Sequence, residues 1–122
     1  MISAKHSRDP ERKFVNMMNE KGHFAQRIAG SGCGRYSCCD VITVIKGDVY
    51  LTEIKGVTGN ELKITANIRE QLETMITAAQ KHQPLKAMLA VNWKRRGWQI
   101  IVLDDITNLS TISYESNKLW GE

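Results

Sequence analysis

The feature that most constrains this chain is a two-residue turn before its midpoint. Lys46-Gly47 separates Asp40-Val41-Ile42-Thr43-Val44-Ile45 from Asp48-Val49-Tyr50-Leu51-Thr52-Glu53-Ile54-Lys55. Both flanks are rich in β-branched residues, and glycine in so short a connection suits a tight hairpin. The spacing predicts an antiparallel pair in which Ile45 faces Asp48. Counting outward sets Asp40 opposite Glu53. Glu53 and Lys55 are two apart and share one face of their strand. A single hairpin therefore brings two carboxylates and an ammonium together.

The flanking sequence supplies the layers. Asp9-Pro10-Glu11 reads as a helix start, with Asp9 as the cap and proline in the first turn. Phe14, Val15 and Met18 form its apolar stripe, and Lys21-Gly22 ends it. Residues 24–28 read as a short strand, and Ala29-Gly30-Ser31-Gly32-Cys33-Gly34 as a flexible loop. Residues 56–60 read as a loop. Ile68, Leu72, Met75, Ile76 and Ala79 recur at helical spacing, which predicts a second helix over 66–82, closed by Pro84. Strands follow at 86–93 and 98–103 around a turn at 94–97, and Ile106 and Leu109 suggest a short helix. The order α-β-β-β-α-β-β predicts an α/β domain, a central mixed β-sheet flanked by α-helices.

With 122 residues, 42% hydrophobic and 25% charged, the chain is expected to form a single globular domain over 1–122. The tail from about 106 carries no assigned role. No stretch approaches the roughly 18 apolar residues of a membrane span, and Met1-Ile2-Ser3-Ala4-Lys5 lacks the apolar run of a signal peptide. A soluble, cytoplasmic protein is expected. The net charge of +4 is uneven: residues 1–36 hold seven bases against three acids, and 37–122 hold ten of each. Lys94-Arg95-Arg96 is a second basic cluster. A phosphate backbone and a solvated helix face both account for such a bias. Cys33, Cys38 and Cys39 lack the paired spacing of a zinc site, and an odd count argues against a disulfide framework.

Two carboxylates held a few ångströms apart repel each other unless a cation sits between them. Oxygen ligands of this kind suit Mg²⁺ or Mn²⁺, and a lysine beside them suits a phosphate. The same residues also read as a surface cross-strand pair. Glu11 lies three, four and seven residues before Phe14, Val15 and Met18, on the inward stripe of the first helix. A bare carboxylate there is costly. A metal or basic neighbour resolves that cost, and so does the helix dipole if Glu11 stands in the first turn.

Glu11-Arg12, Arg27-Ile28-Ala29-Gly30-Ser31-Gly32, Asp40-Val41-Ile42 and Glu53-Ile54-Lys55, in that order, resemble the archaeal Holliday junction resolvases. These belong to the restriction-endonuclease-like nuclease superfamily. Arg69-Glu70-Gln71-Leu72-Glu73, Ala90-Val91 and Arg96-Gly97-Trp98 continue the resemblance, which covers residues 5–105 or so. It implies that fold and a metal-dependent endodeoxyribonuclease. Asp40 and Glu53, with the Ile54 carbonyl, would bind Mg²⁺ (Mn²⁺ as substitute), and Glu11 would complete the site. Lys55 would be the catalytic lysine and Ser31 the active-site serine of the glycine-rich loop. Arg12 and Arg27 would contact phosphates, and Gln71 would lie near the site. Cys39 departs from the proline common before the catalytic aspartate, and Cys33 and Cys38 replace residues that are more often polar or basic.

The resemblance further implies paired symmetric nicks across a four-way DNA junction, with 5′-phosphate ends, in an archaeal cell or the host of an archaeal virus. Two nicks from a subunit with one site call for a two-fold homodimer. Arg12, Arg27, Arg35 and the Lys94-Arg95-Arg96 turn would anchor the duplex arms, with no small-molecule cofactor beyond the metal. The alternatives are a nuclease of the same fold that cuts other DNA structures, and an inactive basic DNA-binding module. Trp93 and Trp98 are expected in the core.

Overall fold

The Lys46-Gly47 turn forms as the sequence predicts. Lys46 has φ 52° and Gly47 φ 89°, the double left-handed geometry of a tight hairpin. In this computed structural model the backbone is described for residues 2–28 and 39–121, and the side chains for 10–28 and 39–121. The turn joins β2 (Val41–Ile45) to β3 (Asp48–Val57). Ile45 pairs with Asp48 and Val41 with Thr52, so the expected register holds.

Helix α1 spans Ile2–Glu20 and carries Pro10 inside it. The sequence reading, which started the helix at Asp9, is thus corrected by about two turns. Proline removes one backbone hydrogen bond, and here the helix runs through it. Phe14 and Met18 are its buried stripe, and Gly22, at φ 90°, follows its end. Strand β1 (Phe24–Arg27) pairs antiparallel with β2. After β3 come β4 (Glu61–Lys63), α2 (Ala66–Lys81), β5 (Lys86–Trp93) and β6 (Gly97–Leu103). Thr65 caps α2 through a hydrogen bond that its hydroxyl accepts from Ile68 N.

The main sheet has the order β1-β2-β3-β5-β6. β3 and β5 are parallel and the other pairs antiparallel, so the sheet is mixed as expected. Two cores sit on its two faces. Phe14 and Met18 of α1 pack with Ala25, Val41, Ile54, Met88, Ala90 and Trp98. Leu72, Met75, Ile76 and Ala79 of α2 pack with Leu51, Ala87, Leu89, Val91 and Trp93. Trp93 and Trp98 are therefore core residues, as expected.

Two local expectations fail. Part of the stretch read as a loop at 56–60 extends β3 to Val57, and β4 pairs with β7 (Thr111–Ser113) in a second small sheet. No helix forms at Ile106 and Leu109. Ile106 is buried, and the segment is held by the Arg69 guanidinium, which donates to Ile106 O at 2.7 Å and to Leu109 O. A one-turn 3₁₀ helix, Ser116–Lys118, follows β7. No helix among the described residues is long and apolar enough to cross a membrane.

Candidate active site

Asp40 stands just ahead of β2 and is fixed by three bonds. Its N–H donates to Thr52 O at 3.0 Å, its carbonyl accepts from Ile28 N at 3.0 Å, and Oδ2 accepts from Ile54 N at 3.1 Å. The last bond ties its carboxylate to the strand that carries the glutamate.

Glu53 lies in the middle of β3 beside Leu89 of β5, and only 2% of it is exposed. It alternates with Ile54, so it faces the α2 side of the sheet together with Leu51 and Lys55. Lys55 Nζ lies 3.5 Å from Glu53 Oε2. Glu53 Oε1 is buried with no hydrogen-bond partner. Burial pushes the Glu53 carboxyl up to a pKa of about 8, and the nearby Asp40 charge adds to that, while Lys55 pulls the other way. One lysine does not balance two carboxylates here.

An orphaned buried oxygen, a second carboxylate at the facing position and an all-oxygen donor set fit a hard divalent cation. The Ile54 carbonyl, between Glu53 and Lys55 in sequence, is available to the same reading.

Glu11 takes another partner. Its Oε1 accepts from Arg27 Nε at 2.9 Å, with the side chains 20% and 40% exposed respectively. Arg27 lies two residues beyond Ala25, which packs beneath α1, so this ion pair sits on the face opposite Glu53. Among the described residues, no group of three or more His, Cys, Asp or Glu side chains is arranged to hold a metal. The pair Asp40–Glu53 forms, and Glu11 is not brought into it. Of the outcomes open from sequence, the basic neighbour is the one observed.

The remaining expected residues divide by place. Arg12 is exposed on α1, and Gln71 is half-buried on α2, the helix over the face of Glu53. Lys94 and Arg95 are exposed in the β5–β6 turn. Arg96 is not free for phosphate: its guanidinium donates to Asn60 Oδ1 at 2.8 Å and to Gly59 O, and it lies 4.1 Å from the Tyr114 ring centroid. Ser31, Arg35, Cys33 and Cys38 lie outside the described residues. Cys39 is buried, with its thiol donating to Val41 O at 3.6 Å.

Sequence reasoning missed Arg96 and Asn60 as a clasp, Arg69 as the anchor of the tail, and Gly56 as a point of close contact. No local pattern marks the first three. A glycine next to Glu-x-Lys was a signal for the fourth.

A mixed sheet with a helix on each face, with Asp40 just ahead of β2 and Glu53-x-Lys55 on the neighbouring β3, is the arrangement of the restriction-endonuclease-like fold. A family model described as archaeal Holliday junction resolvase (Hjc) matches residues 3–120. The chain belongs to that family. No curated protein matches it. Among solved structures, the chain is similar to that of Archaeoglobus fulgidus Hjc, described as a Holliday junction resolvase from an archaeal hyperthermophile. The likeness has a TM-score of 0.67 at 24% identity and covers 84% of this chain and 83% of that one.

Proposed function

We infer that this chain is a metal-dependent endodeoxyribonuclease that resolves four-way DNA junctions by paired symmetric nicks leaving 5′-phosphate ends. The observation that carries the reading is Glu53, a buried carboxylate with an unpartnered oxygen beside Asp40 and Lys55, in a chain of the resolvase family.

Asp40 and Glu53 would hold Mg²⁺, with Mn²⁺ as substitute, and the resemblance implies the Ile54 carbonyl as a further ligand; Glu11, which it also implies, would first have to leave Arg27 on the other face. When bound, the cation lowers the pKa of an attacking water and neutralises charge on the phosphoryl group. Ile54 N–H holds the Asp40 carboxylate in orientation. Glu53, held neutral near pH 7 by burial, would release its proton to solvent in order to serve as a metal ligand. Lys55 binds the scissile phosphate and stabilises the charge that develops on its oxygens.

Arg12, Lys94 and Arg95 supply exposed positive charge for flanking phosphates, and Arg27 joins them if phosphate displaces Glu11. Arg35 is assigned with them to the flanking arms, and Ser31 and Gln71 to the strand at the cut. Contacts of this kind position DNA without reading its sequence, so selectivity rests on junction shape. Each subunit carries one site, and a two-fold homodimer supplies the second nick.

The test uses purified protein, Mg²⁺, a synthetic four-way junction and a linear duplex of the same sequence. Paired symmetric nicks in the junction alone support the reading. Equal cutting of both substrates points to a broader nuclease, and binding without cutting to an inactive module.

A further inference from the structure

Gly56 follows Lys55, and three parts of the chain meet at it. A Cβ placed on it would come within 3.2 Å of Pro10 Cγ and 3.4 Å of Lys94 Cε. Its φ is not in the left-handed region, so no backbone conformation demands glycine there. What glycine provides is space, on the α1 side of the strand, and the stem of Lys94 lies across it.

The turn that carries Lys94 is fastened at several points. Lys94 N–H donates to Val57 O at 2.9 Å, one residue beyond Gly56. Arg96 N–H donates to Trp93 O at 2.8 Å, and Arg95 takes up φ 68° between them. The Arg96 guanidinium then grips Asn60, Gly59 and Tyr114. Within this frame Lys94 is exposed, and no carboxylate among the described residues pairs with it. Lysines commonly lay an apolar stem along a surface and keep the charge in water. A stem already seated has less freedom to lose on binding.

We propose that Gly56 is a positioning residue that seats Lys94 on the α1 side of the sheet, and that Lys94 so held takes a backbone phosphate of a flanking duplex arm. The proposal rests on the nuclease reading for its partner, DNA. A glycine that only admitted α1, through Pro10, would not act through Lys94, and a double-mutant cycle separates the two roles.

The experiment measures binding to a synthetic four-way junction over a salt series, without divalent metal, for the wild type, Gly56→Ala, Lys94→Gln and the double variant. Lys94→Gln is expected to make the slope of log K against log salt shallower by about 0.9, one phosphate contact. Gly56→Ala is expected to cause a similar loss, and the double variant no more than either alone. Additive losses, an unchanged slope in Lys94→Gln, or a wild type that does not bind overturn the proposal. If Gly56→Ala fails to fold in thermal unfolding, Lys94→Arg decides: a slope kept with arginine and lost with glutamine supports it, and one slope for all overturns it. Failure of the nuclease reading shows separately, as a junction left uncut by the wild type with Mg²⁺.

Discussion

Ile54 donates its backbone N–H to Asp40 Oδ2 at 3.1 Å, across the two strands that the Lys46-Gly47 turn sets in register. The acceptor needs an oxygen there but not a charge. Asp40→Asn keeps the oxygen and removes a candidate metal ligand. Cleavage of the junction with Mg²⁺ should fall by about a hundredfold or more, at least the loss seen when a residue supporting a ligand is removed. Junction binding without metal and the circular dichroism spectrum should be unchanged. Normal cleavage by this variant would take Asp40 out of the site.

Glu53 gives a prediction with a definite sign. Its pKa in the fold is about 8 against an ordinary 4.5, so the fold favours the neutral form. For metal-free protein, this contribution is fully present below pH 4.5 and is lost as pH rises through about 8. The loss is on the order of a few kcal/mol. Urea unfolding should therefore show weaker metal-free protein at about pH 8.5 than at about pH 5. Glu53→Gln should remove most of that difference and exceed the wild type at the higher pH. Mg²⁺ should stabilise the wild type more at the higher pH, where no proton must leave first. A wild type equally stable at both values, with or without Mg²⁺, contradicts the assignment.

The Glu11–Arg27 pair is partly exposed, with water reaching both side chains. Such pairs contribute about 0–1 kcal/mol. Arg27→Ala should thus lower stability by less than about 1 kcal/mol and still weaken junction binding, with a shallower salt dependence. Fluorescence anisotropy over a salt series checks this. An Arg27→Ala variant with wild-type affinity at every salt concentration would confine Arg27 to its bond with Glu11.

How much was legible follows from how local each feature is. Register came from the Lys46-Gly47 turn because a two-residue connection leaves one pairing, and that pairing placed Asp40 against Glu53. Helix α2 was legible because its buried residues repeat every three or four positions. The start of α1 was not, since Asp9-Pro10-Glu11 carries every sign of a beginning and only the surrounding fold extends the helix back to Ile2. The β4–β7 pair joins three-residue strands about fifty positions apart, too short to show a period. Glu11 was placed correctly on an inward stripe, but its partner depended on where β1 ran, and Arg27 reached it first.

Arg96 carries the prediction that most separates structure from sequence. A basic triplet in an exposed turn suggests three phosphate ligands, yet the Arg96 guanidinium is bonded to Asn60 and Gly59 and lies over the Tyr114 ring. It ties the β5–β6 turn to the loop after β3 and to the tail beyond β7. The bonds are partly solvated, so Arg96→Ala should lower stability by about 1–2 kcal/mol, combining charged hydrogen bonds with a cation–π contact. Arg96→Lys should restore little of it, because an ammonium neither spans Asn60 and Gly59 nor stacks flat on a ring. Urea unfolding at one pH and salt concentration measures both variants. Stability within about 0.5 kcal/mol of the wild type for Arg96→Ala, the range of an ordinary surface change, would remove the clasp.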